Sequence, residues 1–170
     1  MKDDIALRNA TAADIPAMIP FIFEHGANQW NFLPPDDVAA HLGAIAQGKT
    51  RAVLAESEGK LLGYVTFMIA RSMMRYQSRE HVGNPHGYVA EAVVHRGHAG
   101  KGIGSRLLKE ALARLAQDGC KEVYIERHEE NLASAGMMRK AGFTEVATFD
   151  DPQRRSSGSR RTTVCRIIMD

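Results

Sequence analysis

The chain has 170 residues, 44% hydrophobic and 25% charged, which is ordinary for a globular protein and predicts one domain over residues 1–170. Twenty-two basic residues against twenty acidic ones leave a formal charge of +2, which removes global charge as an argument for nucleic-acid binding. Two cysteines, Cys120 and Cys165, form no C-x-x-C pair, so neither a disulfide framework nor a zinc cluster is expected and both read as inert buried thiols.

The N-terminal MKDDIALRNA is charged and lacks the apolar core of a secretory leader. No run approaches the ~18 apolar residues that a membrane span needs, so no membrane association and a cytoplasmic location are expected. IALRNA (Ile5 to Ala10) alternates briefly and reads as a first strand. In TAADIPAMIPFIFEH, Thr11 stands three before Asp14 in a near capping box, and Ile15, Met18, Ile19 and Ile22 recur at helical spacing. Pro20 should kink or break that helix. LPPDDVAAHLGAIAQG predicts a second helix, with Val38, Leu42 and Ile45 on one face and a stop at Gly48. TRAVLAES and LLGYVTFMIA, joined through Glu58, Gly59 and Lys60, read as a hairpin.

After the polar segment RSMMRYQSREHVGNPHG comes a strand, YVAEAVV, then a glycine-rich turn and a helix. The buried stripe of that helix is Ile103, Leu107, Leu108, Ala111, Leu112 and Leu115, and Gly119 is its stop. KEVYIERH is a strand, NLASAGMMRKAG a short helix, FTEVATFD a strand, RRSSGSRR a basic loop and TTVCRIIM a final strand. There is no internal repeat and no linker. The pattern is a mixed sheet with helices, of class α/β or α+β.

The turn VVHRGHAGKGIGSRLL carries the chemistry. A Walker loop needs G-x-x-x-x-G-K and then Ser or Thr; here Gly102 follows Lys101, and His95 stands where the first glycine belongs. A dinucleotide fingerprint needs G-x-G-x-x-G, but Gly100, Gly102 and Gly104 give G-x-G-x-G, with Ser105 in the last place. What remains is a strand, a bare turn and a helix whose first N–H groups are free to hold an anion such as a pyrophosphate.

At these residues the sequence resembles the GNAT family of N-acetyltransferases. That family carries V-x-P-x-x-R-G-x-G-I-G between its fourth strand and third helix, and VHRGHAGKGIG matches at Val94, Gly100, Gly102, Ile103 and Gly104. The family's N-x-x-A-x-x-L-Y-x-x-x-G-F resembles NLASAGMMRKAGF, matching at Asn131 and at Gly142 and Phe143. Together the two segments cover residues 88–143. The resemblance implies a GNAT acyltransferase fold: a central mixed, mostly antiparallel sheet of about seven strands, flanked by about four helices. It implies acetyl-CoA as co-substrate and no metal, and His81 and His86 have no companion ligands at metal spacing.

The resemblance assigns the co-substrate to Val93, Val94, Ala99, Gly100, Lys101, Gly102, Ile103, Gly104, Ser105, Asn131 and Ser134. Asn131 also reads as a helix N-cap. Ala99 stands where the family usually has Arg or Gln. Met138 stands where it often has the tyrosine that protonates the leaving thiolate, and methionine has no proton to give. Glu91 falls where family members often carry a base, and an apolar strand would raise its pKa toward a useful value. Tyr124 is the expected acid, with His128 and Tyr88 as alternatives.

For the acceptor, Trp30, Phe32 and Tyr76 are candidate contacts. Arg154, Arg155, Arg160 and Arg161 read better as a solvated loop than as an attractor of an acidic acceptor. The leading expectation is acetyl transfer to the primary amine of a small molecule: an amino acid, a polyamine or an amine antibiotic. An acyl-CoA-binding module without catalysis is the alternative, and nucleic-acid binding through the basic loop is weaker still. Dimers are common in the family, so a homodimer is left open.

Overall fold

The computed structural model describes residues 4–169. The hairpin forms first in the logic of the chain. Strands β2 (Arg51–Ser57) and β3 (Lys60–Ala70) are joined by Glu58 and Gly59, whose φ angles of 51° and 76° are the left-handed pair a two-residue hairpin turn requires. β1 (Ala6–Asn9) adds to β2, and β4 (His86–Val94) adds to β3, both antiparallel. Helix α3 (Ile103–Gln117) then crosses over to β5 (Glu122–His128), which lies parallel to β4. This is the one place where a helical connection is needed, because parallel neighbours cannot be joined by a tight turn. β6 (Thr144–Asp150) and β7 (Arg161–Ile168) complete an order of β1-β2-β3-β4-β5-β7-β6.

Helices α1 (Ile15–His25) and α2 (Pro35–Gly43) precede the hairpin, and α4 (Leu132–Lys140) precedes β6. They are sorted to two faces by strand alternation. From β2 and β3, Val53, Ala55, Val65 and Phe67 point to the α3 side, where they meet Leu107, Leu108 and Leu115. Ala52, Leu54 and Tyr64 point the other way onto Met18, Ile22 and Leu42 of α1 and α2. Burial on both faces is why these strands read as nearly continuous apolar runs.

Seven strands and four helices make the mixed, mostly antiparallel arrangement that the resemblance implies. Of the two outcomes expected at Pro20, the break does not occur: Pro20 lies inside α1, which runs on to His25. Pro20 and Pro16, whose carbonyl loses its partner, are both exposed, so water can take the vacant acceptor. Asp14 does cap the entry, accepting the Thr11 amide at 2.8 Å.

Two glycines separate packing from propensity. A Cβ on Gly63 would lie 2.7 Å from the Val93 carbonyl oxygen, whereas one on Gly43 would meet open space. Gly63→Ala should therefore lower stability by roughly 1–3 kcal/mol through overpacking. Gly43→Ala should raise it by up to ~1 kcal/mol through helix propensity. Urea denaturation of the two variants checks both signs.

Candidate active site

Strands β4 and β5 pair at only three positions, Gly87 with Val123, Tyr88 with Tyr124 and Val89 with Ile125. Beyond them β5 is held by β7 alone and β4 by β3 alone. The register of β4 on β3 skips Ala90: Val89 faces Phe67, and the next matched pair is Glu91 with Thr66. An inserted residue bends a strand, and this bulge sits where the two strands part. Thr66 Oγ1 covers the gap, accepting the Glu91 amide at 3.0 Å and pairing with His41 Nε2 at 2.8 Å. Further along, the His95 amide donates to the Leu62 carbonyl. Alternation then turns the Glu91 and Val93 amides toward β3, and those of Ala92 and Val94 into the cleft.

The cleft holds two chambers. The first, about 420 Å³, runs along the glycine loop and is lined by Val93, Val94, Ala99, Gly100 and the segment 102–105, with Asn131 and Ser134 opposite. Gly102 caps α3 with φ 78°, and the Arg106 amide makes the first helical bond, to the Gly102 carbonyl at 3.1 Å. The amides of Ile103, Gly104 and Ser105 therefore have no acceptor within the helix and face outward with the positive end of its dipole. A Cβ at Gly100 or Gly102 would enter open space, so the backbone there is bare toward the cleft. Gly104 has a different task, since a Cβ on it would overlap the Met137 side chain, which would have to move. Asn131 is buried and caps α4, accepting the Ser134 amide at 3.2 Å. Lys101 does not line the chamber, and its ammonium lies 3.3 Å from His98 Nδ1.

The second chamber, about 290 Å³, lies deeper between the strands, under α2 and the β6–β7 loop. Asn31, Ala92, Ser134 and Met137 line both chambers and form the passage between them. Glu91 lines the deeper one, and burial pushes its pKa up to about 7, opposed by the charge of Arg155. Tyr88 donates to Glu126 Oε1 at 2.6 Å, and Arg154 bonds Glu126 at 2.8 Å and Asp151 at 2.7 Å. Glu126 is thus fully engaged and Glu91 is not. Burial and the neighbouring Glu126 hold the Tyr88 hydroxyl far above its ordinary value.

The loop residues expected from the sequence converge on the first chamber, Lys101 excepted. Glu91 and Phe32, which is 47% exposed, reach the second chamber. Tyr124 is a correction to the sequence reading. It belongs to the paired part of β5, is fully buried, and donates its hydroxyl to Glu122 at 2.7 Å, so it cannot reach the cleft. Tyr76 is another: it carries Arg75 on its ring and accepts Arg166 through its carbonyl, lining neither chamber. Trp30 stacks on His128 with ring centroids 4.6 Å apart and offers the site only its carbonyl.

Met138 is 4% exposed and lines the deeper chamber. Arg155 overturns the solvated-loop reading, because it is 7% exposed and lines that chamber too. Ala92 and His41 had no local signal, since strand register and helix packing bring them to the cleft, and nothing in the basic loop marked Arg155 apart from its three neighbouring arginines. No group that could hold a metal ion is found among the described residues, and no described helix is long and apolar enough to cross a membrane.

The model of the acetyltransferase (GNAT) family matches residues 17–143. The chain belongs to the GNAT acetyltransferase family. It is therefore an acyltransferase whose co-substrate is acetyl-CoA. Solved structures agree on the fold. The yncA protein of Salmonella typhimurium, solved with its cofactor acetyl-CoA, is 23% identical with a TM-score of 0.73, over 98% of this chain and 95% of that one. The ribosomal-protein-alanine N-acetyltransferase of Brucella melitensis is 20% identical with a TM-score of 0.76, over 96% and 99%. The Drosophila melanogaster polyamine N-acetyltransferase is 15% identical with a TM-score of 0.74, over 98% and 100%. Among curated proteins none matches. The glycine-loop chamber fits the co-substrate of a GNAT enzyme: its bare backbone and outward amides can take a pyrophosphate without a side chain intervening.

Gly102 and Gly48 share left-handed backbones, with φ of 78° and 72°, and both face open space. Valine at either position should strain the turn by ~1–2 kcal/mol. Only Gly102→Val should also weaken acetyl-CoA binding, by about tenfold or more, because only there would the added carbons stand before the amides. Calorimetric titration of both variants makes the comparison.

Proposed function

We propose that this GNAT enzyme acetylates the primary amine of a small molecule, with Glu91 as the base. The observation that supports it most is Glu91 itself. Its carboxylate sits in the deeper chamber with a pKa near neutrality, one passage away from the glycine loop. A base poised near the working pH is half ionised and still strong enough to take a proton. Bound acetyl-CoA supplies an acetyl thioester, whose carbonyl carbon bonds to the amine nitrogen as its carbon–sulfur bond breaks and the electron pair leaves on sulfur.

The chain's residues do the rest in this reading. Glu91 takes the proton the amine must lose. The Ala92 and Val94 amides, turned into the cleft, stand ready to donate to an oxygen gaining charge. Ile103, Gly104 and Ser105 hold the pyrophosphate, and Asn131 aligns the chain that follows it. Around Glu91, Arg155 stays cationic and Tyr64 and Tyr88 stay protonated while it titrates, the tyrosines with pKa values far above their usual range, and burial lowers that of His41. A deeper chamber of about 290 Å³ is at the lower end for ligand pockets and suits a small acceptor rather than a folded protein.

The base must be ionised, so kcat/KM should fall as pH drops through about 7, and Glu91→Gln should abolish turnover while acetyl-CoA still binds. Steady-state thiol release from pH 5.5 to 8.5, with a pooled panel of amino acids, polyamines and aminoglycosides, reads both. A flat pH profile, or an active Glu91→Gln variant, removes Glu91 from the chemistry.

The same shift has a consequence for folding. A carboxyl group whose folded pKa lies above its unfolded one stabilises the fold only below the unfolded value, and that stability is lost as pH rises through the folded value. Glu91→Gln should therefore melt higher than the parent at pH 8, by at most ~3 kcal/mol of stability, and the gain should vanish near pH 4. Thermal melts at the two pH values test the sign.

A further inference from the structure

Arg155 is out of place for a surface loop. It is 7% exposed, yet it lines the deeper chamber that contains Glu91. Two of its guanidinium nitrogens are held by neutral oxygens: Nε donates to Thr162 Oγ1 at 2.8 Å, and Nη1 donates to the Trp30 carbonyl at 3.1 Å. Among the described residues no ion pair joins it to a carboxylate. Its neighbour Arg154 takes Glu126 and Asp151 for itself. A buried guanidinium whose nearby carboxylates, Asp151 and Glu126, are bonded to another arginine and not to it is costly, and a ligand carboxylate would supply the direct partner it lacks.

The setting is built rather than accidental. The Arg155 amide donates to the Asp151 carbonyl at 2.9 Å, which fixes the turn that carries it. Thr162, which receives Nε, is itself buried and donates to Asp151 Oδ2 at 2.6 Å. The fork is therefore locked by its own supports, with one face left for a ligand. Glu91 and Arg155 line the same chamber of about 290 Å³, so the two can act on the two ends of one small molecule.

We infer that the acceptor is an amine that also carries a carboxylate, an amino acid in the broad sense, with Arg155 holding the carboxylate while Glu91 faces the amine. The inference rests on the acyl-transfer reading only for what happens at the nitrogen. The carboxylate subsite is a separate claim. Arg155 determines specificity, because guanidinium pairs with a carboxylate through charge-assisted, often two-pronged hydrogen bonds. Polyamines and other purely cationic acceptors would place a positive group against it and should be rejected.

The test compares matched acceptors on the wild-type enzyme: free amino acids, their carboxamides, and the corresponding amines lacking the carboxyl group. An aminophosphonic acid is included to show whether another oxyanion serves. Free acids should exceed their carboxamides in kcat/KM by about tenfold or more, expressed mainly in KM. Arg155→Gln should collapse that preference, and Arg155→Lys should restore part of it, with acetyl-CoA titration confirming that each variant is folded.

A second readout needs no turnover. In the presence of coenzyme A, calorimetry should show that N-acetylated amino acids bind and their carboxamides do not, and that Arg155→Gln removes the binding. Thiol release from carboxamides or diamines as fast as from acids overturns the acid subsite and leaves acyl transfer standing. Acid binding that needs Arg155, with no thiol release from any amine, does the reverse. An unchanged acid preference in Arg155→Gln, or neither binding nor release with acids, overturns the inference outright.

Discussion

Strands β4 and β5 exchange backbone hydrogen bonds over three residues and then separate, and every chemical feature of this chain depends on that separation. A sheet that stayed paired to the end of β5 would fill both chambers and leave no strand amide free. The cause is local and readable. The bulge at Ala90 bends β4 along β3, and the Thr66 hydroxyl takes the Glu91 amide that the bulge strands. The same few residues then do several things. Glu91 is carried into the gap, the Ala92 and Val94 amides turn toward it, and Val94 leads into a glycine loop that ends on a helix N-terminus. A polar site inside a sheet normally faces the problem of unpaired backbone, and here the unpaired groups are the ones a developing oxyanion would use.

The deeper chamber is polar in a graded way. Tyr88, Glu126, Arg154 and Asp151 neutralise one another through short hydrogen bonds, and they serve as a rigid wall. Glu91 and Arg155 stand outside that network of hydrogen bonds, Arg155 buried and Glu91 half-buried, and neither forms an ion pair among the described residues. Burial raises the carboxyl pKa, and it lowers that of the guanidinium, with Arg154 adding to the effect. The charge of Arg155 works against the rise at Glu91, and those of Asp151 and Glu126 work against the fall at Arg155. Arg155 thus holds the Glu91 carboxyl lower than burial alone would, toward the range in which a base acts at ordinary pH. Specificity and catalysis are linked in this reading through one electrostatic pair.

The sequence carries the scaffold plainly because its signals are local. The Glu58–Gly59 turn, the stripe from Ile103 to Leu115 and the run of glycines each depend on neighbours within a few residues, and all stand where the pattern puts them. Glu91 is legible for the same reason, as a lone carboxylate in an apolar strand. What the sequence hides is set by register and closure. Tyr124 and Ile125 are adjacent and both paired with β4, yet only Ile125 reaches the cleft, because successive side chains face opposite sides of the sheet and Ile125 is the last paired residue. Arg155 sits in a run with every mark of a solvated loop. Only the fold of that loop, with Asp151 and Thr162 as its internal supports, draws this arginine inward while Arg160 remains outside both chambers. Pro20 does not end α1 because the Pro16 carbonyl that loses its partner faces water.

Met138 sharpens what the chemistry demands. A methionine in this position places no proton donor beside the leaving sulfur, and its burial against Phe143 and Ala141 makes it part of the core. An alkyl thiol resembles cysteine, with a pKa of about 8.5, so a thiolate is a tolerable leaving group near neutral pH without an acid. The harder step is then the loss of the proton from the amine, which an acceptor ammonium must shed before it can attack. On the reading proposed above, a carboxylate on the same molecule would anchor that ammonium beside Glu91, and the base, not the acid, would be the group the site needs most. Ser134 is the hydroxyl that lines both chambers. With Met138 in this place, that reading relies on Glu91 to take the amine proton, and burial is what brings its carboxyl toward neutrality.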